Sequence, residues 1–230
     1  MAGKNPEITL LGLETSGLTS GVYLSRNNQM LGEISLNIRN IHSRGVALFI
    51  EQLLRLTDLS LNQISGVVVS AGPGSFTGLR IGYSIAKGLV HALQKPLIQV
   101  PTLDVWVYQQ GKTSYPIFSF IDAHRQEFFY AFYHWEGKEM IRETEYQITS
   151  IESLPELLRE KTVLVGPDVV RFVNQLQELL GELAVFCYPT QEQLQGWALL
   201  QLGYQKFTTG DFSDINSCEP LYLRPFKGIL

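Results

Sequence analysis

Glycine and hydroxyl residues crowd one short segment, SAGPGSFTGLR, which follows the apolar run ISGVVV and precedes a helical pattern. A helix N-terminus presents unpaired N–H groups and the positive end of the helix dipole, so a loop placed there can bind phosphate. The glycine spacing matches neither the P-loop, which needs Lys-Ser or Lys-Thr, nor the dinucleotide fingerprint. Spacing alone therefore favours a tight strand-to-helix turn over a phosphate cradle, with Ser75 and Thr77 as candidate helix caps.

Side chains that commonly bind transition metals are few in this chain, and they are His42, His91, His124, His134, Cys187 and Cys218. No two of them have the spacing of a zinc site, so we predict no metal site. Two cysteines without a framework spacing suit a reducing compartment, and we expect a cytoplasmic protein.

Asp122 and Glu127 are the carboxylates we considered as a general base. Both fall in a predicted hairpin, and we predict no catalytic residue.

A stripe of small residues follows the glycine loop, because Gly78, Gly82 and Ala86 recur every four residues on one helix face. An interior glycine costs a helix about 0.5–1 kcal/mol relative to alanine, so the stripe needs a reason. Close packing of a neighbouring backbone supplies one. The sequence leaves open whether that neighbour is the preceding helix or another chain.

Composition limits the classes of function. The 230 residues are 45% hydrophobic and 17% charged, which is enough to bury a sizeable core. A net charge of -4 disfavours a protein that binds nucleic acid by itself, because neutralising phosphates needs clustered lysine and arginine. The apolar runs have the length of strands, so we expect no membrane span. The first residues contain only a very short apolar run, so we expect no secretory signal.

The first half of the chain predicts three short strands and then alternating helices and strands. Helical periodicity covers residues 42–58, where one face carries Val46, Phe49, Ile50, Leu53 and Leu54. A second helix is predicted for residues 77–94. The continuous apolar run SGVVVSA between these helices is typical of a strand buried on both faces. The predicted order is therefore β-β-β-α-β-α-β.

The second half repeats this order loosely. YPIFSFIDAH, EFFYAFYHW and KEMIRETEYQI predict three strands, and later helices begin near Asp168 and Thr190. The aromatic run has no interleaved lysine or arginine, so we interpret it as core and not as a base-stacking surface. We place the boundary between two subdomains at 104/105, near VPTLDVWVYQQGKTS. The first subdomain is 1–104 and the second is 105–230. We expect the tail of the second subdomain to pack back on the first.

Four segments in this order resemble one protein family. GPGSFTGLRIGYSIAKGL is similar to the GPGSFTGxRIGxxxAKGL motif of the TsaB (YeaZ) family of tRNA threonylcarbamoyladenosine biosynthesis. LLGLETSGLTSGVYL resembles that family's first hairpin, IDAHRQEFFYAFY its IDARxxEVYxAxY segment, and EPLYLRP its closing xPxYLR. The chain departs from the family at Glu14, where aspartate is usual. The longer side chain argues against a tightly built Mg²⁺ site.

The resemblance implies an α/β protein with the actin-like ATPase (ASKHA) fold, made of two related β-β-β-α-β-α subdomains. It also implies a non-catalytic subunit that pairs with the TsaD catalytic paralogue, together with a TsaE-like ATPase. Alone, the chain would form a homodimer, and tRNA would be bound only through the complex. An actin-like ATPase or kinase that acts alone is the alternative, and a direct tRNA binder is disfavoured by the acidic charge.

The resemblance assigns two candidate sites. The helices at 42–58 and 77–94 would form the partner or dimer interface, through Val46, Phe49, Ile50, Leu53, Gly78, Gly82, Ile85 and Ala86. No cofactor is expected on the chain alone. ATP or ADP would bind only at the junction with the partner, contacted by Glu14, Thr15, Ser16 and Ser75.

Overall fold

A computed structural model describes residues 7–37, 42–187 and 193–224, except for the side chains of residues 42–44. The chain forms two compact units. Unit 1 consists of Met1–Pro101 and Gln195–Pro220, and unit 2 consists of Thr102–Leu194 and Leu221–Leu230. The predicted boundary lies at 104/105, with the tail of the second subdomain packing back on the first. In the structure the break falls between Pro101 and Thr102, and residues 195–220 belong to unit 1.

Unit 1 contains a five-stranded sheet with the strand order β3-β2-β1-β4-β5. Its strands are β1 (Thr9–Glu14), β2 (Ser20–Arg26), β3 (Gln29–Leu36), β4 (Gly66–Ser70) and β5 (Leu97–Val100). The first three strands are antiparallel neighbours, and β1, β4 and β5 run parallel. Asn27 and Asn28 join β2 to β3 with φ values of 48° and 65°. Two consecutive positive φ angles are what a two-residue hairpin turn requires.

Helices cover both faces of the sheet in unit 1. They are α1 (His42–Leu56), α2 (Phe76–Leu93) and α6 (Gly196–Thr209). Leu11 and Leu13 of β1 share a core cluster with α1 and α2. Gly12 lies between them in sequence and meets Leu200 of α6 on the opposite face, because side chains alternate along a strand.

Unit 2 repeats the sheet order of unit 1, as β11-β10-β6-β7-β8, with β9 pairing to β7. Its strands are β6 (Ile117–Asp122), β7 (Glu127–Glu136), β8 (Glu139–Arg142), β9 (Gln147–Ser150), β10 (Thr162–Val165) and β11 (Ala184–Phe186). Its helices are α3 (Thr102–Gln110), α4 (Leu154–Leu157) and α5 (Val169–Leu180). The predicted architecture of two related α/β subdomains is confirmed.

Three elements predicted for the second half of the chain need correction. The segment KEMIRETEYQI is two strands, β8 and β9, because β7 is ten residues long and pairs with each of them along a different part of its length. Helix α3 fills the segment we had interpreted as a connection. Its valines and aromatic residues are weak helix formers, so the local pattern concealed it. Helix α6 begins at Gly196, and Thr190, near which the sequence predicted its start, lies outside the described residues.

The core of unit 2 is aromatic. Phe118 and Phe120 of β6 and Phe128 and Tyr130 of β7 are buried in one cluster with residues of α4, β10 and α5. The Phe118 and Tyr130 rings stack with centroids 5.0 Å apart. These described aromatic side chains of β6 and β7 therefore pack inside the unit, as the sequence predicted.

Candidate functional site

The glycine loop connects β4 to α2 and contacts the turn between β1 and β2. Ser75 is the N-cap of α2, and its hydroxyl accepts a hydrogen bond from the Gly78 N–H at 3.2 Å, which confirms the predicted cap. The Ser75 N–H donates to the Ser16 carbonyl oxygen at 2.6 Å. A Cβ atom at Gly74 would collide with the same carbonyl. The loop therefore has glycine where the β1–β2 turn approaches most closely.

The small-residue stripe of α2 has the same neighbour. A Cβ atom at Gly78 would collide with the carbonyl oxygen of Thr15, and one at Gly82 would collide with the Thr15 hydroxyl. We expected either the preceding helix or another chain to supply this contact. The structure shows instead that the stripe seats the β1–β2 turn on α2 inside unit 1.

Glu14 lies at the end of β1 and is only 2% exposed. Its Oε1 accepts hydrogen bonds from the N–H and the hydroxyl of Ser16, both at 2.5 Å, and its Oε2 accepts one from the Ser70 hydroxyl. Burial raises the pKa of the Glu14 carboxyl, while these hydrogen bonds oppose the shift. The carboxylate thus serves as an internal acceptor that ties the β1–β2 turn to the end of β4.

The four residues proposed to contact nucleotide are brought together by these bonds. Glu14, Thr15 and Ser16 are buried, and Ser75 is exposed at the start of α2. The hydrogen bonds of Glu14 and of the Ser16 carbonyl join the turn to its own unit. Contact of these residues with a nucleotide stays a prediction.

Unit 2 has a related carboxylate at the end of its first strand. Asp122 ends β6, and its Oδ1 accepts a hydrogen bond from the N–H of His124 at 2.8 Å, two residues further on, as Glu14 does from Ser16. Its Oδ2 pairs with Arg171 of α5 at 2.6 Å. The Asp168 carboxylate, for which burial raises the pKa, accepts a hydrogen bond from the Asp122 N–H at 2.8 Å.

Glu127, the other carboxylate considered as a base, pairs with Arg224. Asp122 and Glu127 are thus both held in ion pairs with arginine.

Within residues 7–37, 42–187 and 193–224, no three side chains of histidine, cysteine, aspartate or glutamate are grouped so as to hold a metal ion. No helix in those ranges combines the length and apolar character needed to cross a membrane.

The proposed interface residues need correction as a set, because most of them face inward. Those buried in unit 1 are Val46, Phe49, Ile50, Leu53, Gly78, Gly82 and Ala86. Their side chains or Cα atoms pack against the sheet or the β1–β2 turn, as the apolar face of an amphipathic helix does. Replacing Gly82 therefore tests the packing of unit 1 and not its interface. The prediction that α1 and α2 bind a partner now rests on their other residues.

The outward faces of α1 and α2 carry apolar side chains of their own. On α1, Leu48 is 49% exposed and Leu56 is 74% exposed. On α2, a shallow groove of about 430 Å³ is lined by Phe76, Thr77, Arg80, Ile81, Ser84 and Ile85. We call these residues of α1 and α2 the outer helix face. Ile85 belongs both to this face and to the predicted interface.

Comparison with known proteins agrees with the fold. Residues 30–186 match the family model described as TsaD: tRNA N6-adenosine threonylcarbamoyltransferase. The chain is 26% identical over 220 residues to the tRNA threonylcarbamoyladenosine biosynthesis protein TsaB of Bacillus subtilis, covering 94% of each chain. It is 27% identical over 229 residues to the Escherichia coli protein of the same name, again covering 94% of each.

A solved structure gives the same assignment of fold. The structure of YeaZ from Pseudomonas aeruginosa superimposes with a TM-score of 0.78 at 22% identity, covering 94% of this chain and all of that one. The matched family model spans more than half of the chain, and the relatives agree over nearly its whole length. The chain therefore belongs to the TsaB (YeaZ) family, within the wider family that the TsaD model describes.

Proposed function

We propose that this chain is a non-catalytic subunit of the machinery that forms threonylcarbamoyladenosine in tRNA, and that it acts by pairing with a TsaD-like catalytic paralogue. The observation that carries the proposal is the state of Glu14. Its carboxylate is buried, and both of its oxygens accept hydrogen bonds from residues of its own unit, Ser16 and Ser70. A catalytic acid or metal ligand needs access to its substrate or ion, and this one is used to hold a turn.

The outer helix face supports the pairing. It combines exposed Leu48 and Leu56 with the α2 groove, and apolar surface of this kind is typical of protein interaction sites. A subunit and its paralogue share a fold, so the same face can pair with a second copy when the partner is missing. In this proposal a homodimer competes with the TsaD pairing, a TsaE-like ATPase joins the complex, and the complex works in the cytoplasm.

The proposal includes one nucleotide-binding site. ATP or ADP would bind at the junction with the partner, close to Ser75 at the N-terminus of α2, because the N–H groups of a helix start favour phosphate. The free chain would bind it weakly.

Reconstitution tests the proposal. The purified chain is mixed with a TsaD-like protein, a TsaE-like ATPase, tRNA, ATP and the threonylcarbamoyl donor. We expect modified tRNA from the mixture, none from the chain alone, and much less when the chain is omitted. Transfer by the chain alone, or unchanged transfer without it, would contradict the proposal.

The interface is tested by a matched pair of substitutions. Ile81→Asp places a charge in the α2 groove, and Leu179→Asp places one at an exposed leucine of α5 in unit 2. We expect the first to weaken association with the TsaD-like protein by at least about tenfold, since burying an unpaired charge is costly. The second should leave it unchanged. Equal affinities for both variants, measured by calorimetry, would exclude the outer helix face.

A further inference from the structure

The turn between β6 and β7 has an unusual backbone. His124, Arg125 and Gln126 are consecutive, and their φ angles are 62°, 60° and 62°. Most L-amino acids disfavour this left-handed region because Cβ then lies too close to a carbonyl oxygen. Glycine enters it readily, and asparagine, aspartate and histidine enter it more often than other residues do. Three such residues in a row make a strained turn, which must be held by its surroundings.

Contacts from distant parts of unit 2 hold this turn. Arg224 donates to the carbonyl oxygen of Ala123 at 3.1 Å and pairs with the Glu127 carboxylate, so it joins the two ends of the turn. The N–H of Ile151 donates to the Gln126 carbonyl at 2.9 Å. At the start of the turn, the Asp122 carboxylate accepts the His124 N–H. The backbone is thus fixed on each side.

The side chains of the turn, in contrast, point to solvent. His124 is 84% exposed, and the exposed Arg125 guanidinium makes no hydrogen bond or ion pair with any described residue. Arg171 lies beside the turn on the Asp122 carboxylate and is 65% exposed. Glycine or asparagine would adopt this backbone more easily than arginine. We infer a use outside the unit for the Arg125 side chain, because no described residue binds its guanidinium.

We propose that Arg125, on the turn that Arg224 holds, donates to a phosphate of the tRNA backbone once the chain is assembled with its catalytic partner. This proposal rests on the proposed function. A guanidinium is permanently charged, and its planar fork matches the oxygens of phosphate. Because the backbone under Arg125 is already fixed, contact requires little further ordering of the backbone, and the cost of ordering is confined to the side chain.

Arg125 is the cation of this turn that has no carboxylate partner among the described residues. The His124 Nδ1 and the Arg171 guanidinium both lie on the Asp122 carboxylate, at 3.6 Å and 2.6 Å, so the phosphate contact is assigned to Arg125 alone. The chain as a whole has a net charge of -4, so this contact adds to binding by the complex and does not replace it. Arg224 contacts the turn and acts as a positioning residue.

The test is a titration of labelled tRNA with the assembled complex at several salt concentrations. Arg125→Ala and Arg125→Gly should each weaken tRNA binding about threefold to tenfold, and each should reduce the slope of log K against log salt by about one. The glycine variant suits the left-handed backbone, so it keeps the turn while removing the charge. Arg159→Ala is the control, because this exposed arginine contacts only the Glu156 carbonyl among the described residues. It should change neither quantity.

A double-mutant cycle tests the positioning role. Arg224→Gln should weaken tRNA binding, and it should add little in a chain that already carries Arg125→Ala, because both substitutions remove the same contact. Additive losses would show that Arg224 does not act through Arg125.

Three outcomes would overturn the proposal. Unchanged affinity and salt slope in both Arg125 variants would exclude the phosphate contact. Weaker association with the protein partner in the absence of tRNA would assign the turn to a protein carboxylate. If the wild-type chain forms no complex with the TsaD-like protein, the proposed function fails, and this inference fails with it. That failure is recognised before any Arg125 variant is compared.

Discussion

Glu14 is a carboxylate buried among hydroxyl groups, and its environment makes a prediction about pH. Burial raises its pKa in the folded state, so the folded chain holds the Glu14 proton more tightly than the unfolded chain does. The contribution of protonated Glu14 to the free energy of unfolding is then fully present below the unfolded pKa, and it is lost as pH rises through the folded pKa. In Glu14→Gln this loss is absent, so the free energy of unfolding of the wild type should fall relative to the variant as pH rises above about 4, the pKa of an unfolded glutamate, towards the raised folded pKa.

Denaturant unfolding at a series of pH values measures this difference. Ser70→Ala serves as the matched variant, because the Ser70 hydroxyl donates to Glu14 and opposes the rise in its pKa. Its stability should keep falling to a higher pH than that of the wild type, because the folded pKa of Glu14 is raised further when the Ser70 hydrogen bond is lost. Parallel profiles for the wild type and Glu14→Gln would show that the carboxyl has the same pKa in both states.

Arg125 allows the strain of the β6–β7 turn to be measured as stability. Both Arg125→Gly and Arg125→Ala remove the guanidinium, but only glycine relieves the left-handed backbone. That relief of about 1–2 kcal/mol is partly offset by the entropy that glycine adds to the unfolded chain. We expect the glycine variant to be more stable than the alanine variant by roughly 1 kcal/mol.

Arg159 provides the control for this comparison, because it is exposed and is not among the residues with positive φ. There, glycine should be the less stable of the two replacements. The same order of stability at both positions would mean that the turn stores no strain at Arg125.

At the scale of elements, the packing of α2 on the β1–β2 turn makes two glycines behave differently. A Cβ at Gly82 meets the Thr15 hydroxyl, whereas a Cβ at Gly78 meets the Thr15 backbone carbonyl. Gly82→Ala and Gly78→Ala should each destabilise the fold by about 1–3 kcal/mol, as overpacking does. The clash of Gly82→Ala is with a side-chain atom, which a second substitution can remove. The clash of Gly78→Ala is with the backbone, which no substitution removes.

Thr15→Ala therefore separates the two contacts. In that background, the nearest remaining Thr15 atom to a Cβ at Gly82 is the Thr15 Cβ at 3.5 Å, which is an ordinary contact distance. The cost of Gly82→Ala should largely disappear, while that of Gly78→Ala should persist. Thermal or denaturant unfolding of six proteins measures these costs: the wild type, the three single variants and the two double variants. Rescue of both glycine variants, or of neither, would contradict the arrangement.

At the scale of the whole molecule, the free chain should lack a tight nucleotide site. One helix N-terminus contributes about 0.3–1 kcal/mol to anion binding, and up to about 2 kcal/mol where it is partly buried. Micromolar affinity needs about 8 kcal/mol, so other groups would have to supply most of it. Calorimetry of the isolated chain with ATP and Mg²⁺ should give little or no heat, and affinity should appear when the partner is added. A low-micromolar, magnesium-dependent site on the chain alone would favour the stand-alone ATPase.

The sequence by itself determined the elements whose pattern is local. The apolar run before the glycine loop predicted a fully buried β4, and helical periodicity predicted α1 and α2. Ser75 was recognisable as a cap because a cap depends on residues a few positions apart. The four segments that resemble the TsaB (YeaZ) family also predicted the fold from local sequence, because each segment is short and continuous in the chain.

Only the tertiary structure decided which surfaces those elements bury. Helical periodicity marked Val46 and Phe49 as one face of α1, and it could not say whether that face meets a sheet or a partner. The structure assigns it to the core and gives the Gly78 and Gly82 contact to Thr15, more than sixty residues earlier. Arg224 and the left-handed turn it holds are about a hundred residues apart. Contacts at such separations leave no periodic signature, because only the folded chain brings the partners together.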